Sequence, residues 1–93
     1  MAKKLMVNMA DVVASNAADA ASLSGKEAAL LKAVASNRMA SIVSARAAAG
    51  LDVMVAAGVA VSLIRKGYLA SYRDRFGVHL AVVGAGVNVA AAL

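Results

Sequence analysis

Apolar and polar positions repeat with a helical period at the start of the chain. Met6, Met9, Val13, Ala17 and Ala20 recur at spacings of three and four, and Asn8, Asp11, Ser15 and Asp19 do so on another face. A repeat near 3.6 residues predicts an amphipathic helix over residues 5–23. The segment SLSGKE interrupts it. There, Ser24 and Glu27 have the S-x-x-E spacing of a capping box, in which each side chain satisfies a backbone donor at a helix start. Beyond it Ala28, Leu31, Ala35, Met39 and Ile42 mark one apolar face. The Ala- and Leu-rich run predicts a helix over residues 25–64, continuous or broken near Gly50.

Two long apolar runs follow. Residues 47–64 are interrupted only by Asp52 and Ser62, and residues 78–93 only by His79 and Asn88. Each falls short of the ~20 residues that cross a bilayer core. Val enrichment raises the prospect of strands, but neither run alternates strictly, and the second is read as a helix over residues 78–92. Gly50, Gly58, Gly84 and Gly86, among many Ala, would let helices approach closely. Between the runs lies IRKGYLASYRDRFG. It holds four of the ten basic residues, and Tyr68, Tyr72 and Phe76, which are all the aromatics of the chain. In a helix those three would form one stripe, with Lys66 and Arg73 on another face. Gly67 and Gly77 provide the breaks. The prediction is an all-α single domain over residues 1–93: an α-helical hairpin with a basic, aromatic bend over residues 65–77, and an additional N-terminal amphipathic helix.

Composition changes that picture in one respect. Of the 93 residues, 62% are apolar but only 3% aromatic. Ala and Val each bury little area, at ~25 cal/mol per Å², so a monomer would have a thin core and an apolar exterior. Large exposed apolar surface calls for a neighbour, and the first expected partner is the chain itself, in a helical homo-polymer. The absence of Pro suits long helices. The absence of Cys excludes disulfides and thiolate metal sites. Lys3 and Lys4 before an apolar triplet resemble a signal-peptide start, but Asn8 and Asp11 interrupt its apolar core, and the segment is read as part of the mature chain.

Candidate chemistry is sparse. One His and five acids make neither a metal cluster nor an acid–base pair. GAGVN around Gly84 lacks the context of a dinucleotide loop. With no nucleophile–base pair, the chain is not expected to be an enzyme, nor to use a cofactor or a small-molecule substrate. His79 reads as a capping or packing residue. Asp52, in an apolar arm, needs a cation: Arg46, Arg38 or one from a neighbouring copy.

The net charge of +5 points to phosphate. Arg65, Lys66, Arg73 and Arg75 are the candidate phosphate-binding residues, with a local net charge of +3 after Asp74. The Arg guanidinium makes paired hydrogen bonds to phosphate. DNA held in this way would be bound through its backbone, independent of sequence. A lipid headgroup layer is the alternative target, and a solvated turn the plain structural one.

This layout resembles the small helical coat proteins of filamentous and bacilliform DNA viruses. Their apolar helices form a shell, and their basic residues turn toward packaged DNA. The resemblance implies a virion or filament subunit, with Arg65, Lys66, Arg73 and Arg75 facing DNA. From Ala47 onward the chain is also similar to pilins of conjugative type IV secretion pili, whose bend meets lipid phosphate. Asp52, Asn88 and the charged upstream helix depart from the pilin pattern and favour the coat resemblance. A small holin-like membrane protein is a third expectation.

Overall fold

The computed structural model describes residues 9–37 and 39–93. In chain order the elements are α1 (Met9–Ser22), α2 (Gly25–Ser36), β1 (Met39–Ser41), α3 (Ile42–Ala49), α4 (Val53–Arg65), β2 (Leu69–Asp74), β3 (Gly77–Val82) and α5 (Gly86–Ala91). The expected all-α hairpin is thus corrected: among the described residues the fold is mixed, five helices and a three-stranded antiparallel sheet of order β1-β3-β2. The long helix over residues 25–64 is three helices and a short strand. The basic, aromatic bend over residues 65–77 is the end of α4 and most of a β-hairpin. The apolar helix over residues 78–92 is the central strand followed by six residues of α5. The expectations for Lys3, Lys4, Met6, Asn8 and Arg38 lie outside the described residues.

Local chemistry explains the breaks. The Ser24–Glu27 capping box is formed: the Glu27 N–H donates to Ser24 Oγ (3.1 Å) and the Ser24 N–H to Glu27 Oε1 (3.0 Å). It starts α2. Ser41 Oγ accepts from the Ser44 N–H and starts α3. Gly50 ends α3 in the left-handed region at φ 70°, where glycine carries no Cβ penalty. Asp52 then caps α4, its Oδ2 accepting from the Met54 N–H at 3.3 Å. Among the described residues Asp52 makes no ion pair, Arg46 included; its carboxylate is exposed and serves a helix start.

The strands pair with a register that separates two faces. Ala40 opposes Leu80, Ser71 opposes Leu80 from the other side, and Leu69 opposes Val82. Residues paired across strands share a face, so Ala40, Leu69 and Leu80 present one buried surface, which the helices cover. Leu30, Leu31 and Val34 of α2, Leu63 of α4 and Val89 of α5 complete the core. Tyr72 opposes His79 on the opposite face of the sheet.

At the foot of the hairpin the chain crosses itself closely. The Val83 N–H donates to the Tyr68 carbonyl at 3.0 Å, and Gly86 is buried against the same peptide. A Cβ on Gly86 would stand 2.2 Å from the Tyr68 carbonyl oxygen, so only glycine fits there.

Candidate functional site

Helices α3 and α4 are joined by three residues, Gly50, Leu51 and Asp52, and their axes differ in direction by 104°. The short turn and the angle match those of a helix-turn-helix. The turn is locked from within. The Leu51 N–H donates to the Arg46 carbonyl (2.9 Å), and Arg46 Nη1 donates back to the Leu51 carbonyl (3.0 Å). Arg46 therefore serves the turn rather than Asp52. Leu51 packs on the core.

Helix α4 has two faces. Ala56, Ala60 and Leu63 are buried. The other face carries Met54, Gly58, Val61 and Arg65, spaced by four, three and four residues, and all are exposed; Met54 is 79% exposed and Val61 47%. Val53 and Ala57 flank them. Apart from Arg65, this face has no side chain with a strong hydrogen-bond donor or acceptor.

The hairpin follows α4 directly and packs against it at β2. Its tip is the pair Arg75–Phe76, closed by the Asp74–Gly77 register. Asp74 Oδ1 accepts from the Phe76 N–H at 2.7 Å, and Gly77, at φ 119°, lets the chain turn into β3. His79 Nε2 lies 3.1 Å from the same Asp74 oxygen, and its ring stacks on Tyr72 at 5.2 Å between centroids. The Arg75 guanidinium sits 5.4 Å from the centre of the Phe76 ring.

The four cations singled out in the sequence are thus divided. Arg65 ends α4, and Lys66 caps it. Arg73 lies near the far end of β2 and Arg75 in the turn beyond it, after a strand that rises roughly 17 Å at ~3.3 Å per residue. Lys66 is committed elsewhere, with its ammonium 2.9 Å from Glu27 Oε2. Glu27 is buried, and its carboxylate also accepts from the Ser62 hydroxyl at 2.7 Å. The Ser24 N–H bond, then the Lys66 and Ser62 bonds, lower its pKa from 4.5 to about 2, against the opposing effect of burial. Among the described residues, Arg65, Arg73 and Arg75 are exposed and make no salt bridge.

The aromatic stripe expected of a helix does not exist. Tyr72 lies on the outer face of β2, and Phe76 sits in the turn, 78% exposed. Sequence reasoning missed the helix-turn-helix; its signals were Ser41, Gly50 and Asp52, a cap, a stop and a second cap.

No group of His, Cys, Asp and Glu among the described residues is placed to hold a metal ion. An open groove of about 620 Å³ between α2, β3 and α5 is lined mainly by Val82, Val87, Ala35 and Ala90, with Lys32 its single charge. No single helix among the described residues is long and apolar enough to cross a membrane. No family model, curated protein or solved structure matches the chain.

Proposed function

We propose that the chain is a double-stranded DNA-binding module that reads the duplex through its phosphates. The observation that carries this is the three-residue turn and 104° crossing of α3 and α4, followed at once by a hairpin that carries Arg73 and Arg75, both exposed and without a salt bridge among the described residues. In helix-turn-helix proteins the second helix enters the major groove. The net charge of +5 supplies the long-range attraction.

The apolar face of α4 bears on specificity. Base edges are told apart mainly by hydrogen-bond donors and acceptors, and Met54, Gly58 and Val61 provide none. Their available contact is with thymine methyl groups. Binding is therefore tolerant of sequence, with phosphate contacts setting position.

The test is fluorescence anisotropy of the full chain on unrelated duplexes across a range of salt. Similar affinities are expected, each falling steeply with salt. Replacing both Arg73 and Arg75 by Gln should reduce the log–log slope by about 0.9 for each lost phosphate contact. An unchanged slope would remove the hairpin from the interface.

A second reading keeps the packaging role expected from the sequence, in which many copies coat DNA. The exposed apolar face of Val53, Met54 and Val61 favours it, because such a face suits contact between copies. Sedimentation of the chain with and without DNA separates the two: a coat subunit assembles into large particles, and a solitary module does not. The pilin expectation drew on an apolar helix, bend and helix, and the fold has a β-hairpin at that bend; for the membrane expectation, α3 and α4 are together long and apolar enough for a span bent by 104°.

A further inference from the structure

We propose that Phe76 is a wedge that enters the DNA minor groove at the hairpin tip and unstacks one base step. This rests on the DNA-binding reading above and gives it a deformation mechanism. Phe76 is the single Phe of the chain, and it is 78% exposed at the far end of a β-ribbon. Its ring contributes little to the core. Its backbone, by contrast, is held firmly: the Phe76 N–H donates to Asp74 Oδ1 at 2.7 Å, and Gly77 completes the reversal at φ 119°. The turn thus presents an apolar ring at a fixed place without using the ring to fold.

The surroundings match a groove. The Arg75 guanidinium lies beside the ring, 5.4 Å from its centre, and Arg73 is exposed on the adjoining strand. The minor groove, about 6 Å wide, admits a tip of two residues but not the side chains of the whole ribbon. Its negative potential attracts Arg. Proteins that bind there commonly insert an apolar side chain between base pairs and kink the duplex. Base stacking on an aromatic ring raises affinity roughly tenfold or more. Pyrimidine–purine steps, which unstack most easily, should be the preferred positions.

The experiment uses the full chain and a duplex carrying 2-aminopurine at a central TA step, whose fluorescence rises when its neighbours unstack. Wild type should raise the signal. Phe76→Ala should abolish the rise and weaken binding roughly tenfold, with the salt slope retained, because no phosphate contact is lost. Phe76→Leu, which keeps an apolar wedge, should restore part of the rise. Circular dichroism of both variants should match wild type, since the ring is outside the core. Salt-dependent binding without any rise, or a rise that survives Phe76→Ala, would overturn the wedge while leaving the phosphate reading intact. No salt-dependent binding at all would overturn both. Phe76-dependent binding to phosphatidylglycerol vesicles in place of DNA would overturn both in favour of a lipid surface.

Discussion

The Lys66 ammonium at the end of α4 lies 2.9 Å from the carboxylate of Glu27, in the first turn of α2. One oxygen of Glu27 receives Lys66 and the Ser62 hydroxyl, and the other receives the Ser24 N–H. A helix start and a helix end 39 positions apart are therefore held by one charge. The same bond gives Lys66 a carboxylate partner, which sets it apart from Arg65, Arg73 and Arg75.

Glu27 makes stability depend on acid. Its pKa is about 2 in the folded chain, against an ordinary 4.5, so the unfolded chain takes up a proton first. The stabilisation is whole above pH 4.5 and is lost as pH falls from there through about 2. It amounts to ~2 kcal/mol after allowance for solvent screening at the partly exposed Lys66. Glu27→Ala should lower the urea midpoint at pH 7 by a corresponding amount, and the gap to wild type should close near pH 2. A gap that stays constant with pH would mean that the carboxylate charge contributes nothing.

Two glycines should respond to alanine with opposite signs. Gly86 is buried with its would-be Cβ 2.2 Å from the Tyr68 carbonyl oxygen. Relief requires backbone movement, and Gly86→Ala should cost about 3 kcal/mol. Gly58 sits inside α4 with nothing within 4 Å of that position. There alanine should stabilise by roughly 0.5–1 kcal/mol, through helix propensity alone. Thermal unfolding of the two variants side by side checks the pair.

Legibility differed between these elements for physical reasons. The capping box at Ser24 and Glu27 could be read because it depends on local spacing alone. The hairpin could not. Val78, Leu80 and Val82 do alternate with Gly77, His79 and Ala81, but Ala81 and the following Val83 are apolar too, which blurs the two-residue period. The turn DRFG contains no Asn-Gly or Asp-Gly pair, the strongest short-range hairpin signal; its geometry comes from the Asp74 carboxylate and Gly77 instead. The Ala-rich run over residues 25–64 has strong helix propensity throughout, and tertiary packing of short helices overrides its continuity. Of the candidate site, Arg73 and Arg75 were visible as charge. Their separation from Arg65, and the pairing of Lys66 with Glu27, needed the fold.

The exposed face of α4 should be replaceable without loss of the fold. Met54→Ser with Val61→Ser changes exposed side chains only, so chemical stability should move by no more than about 0.5 kcal/mol. If copies associate through this helix, the sedimentation coefficient of the double variant should fall toward that of a monomer. An unchanged coefficient assigns self-association to another surface.

Asp74 sets the hairpin tip through a single acceptor. Asp74→Ala leaves the Phe76 N–H without its partner 2.7 Å away, and should destabilise the hairpin by about 1 kcal/mol. Asp74→Asn keeps an acceptor oxygen and should lose less. Amide hydrogen exchange at Phe76 reports the difference directly.

The sheet order β1-β3-β2 has a consequence for how the chain reaches this state. The strand synthesised last lies in the middle, and Ala40 finds its partner Leu80 forty positions later. Contacts so far apart in sequence carry a loop-closure cost before they return any stability, and they slow folding. A nascent chain ending before residue 77 would hold α2, α3 and α4 but no strand able to join β1 to β2. The helix-turn-helix can therefore assemble early, while the ribbon that carries Phe76 and the two tip arginines acquires its fixed direction only once the last strand has been made.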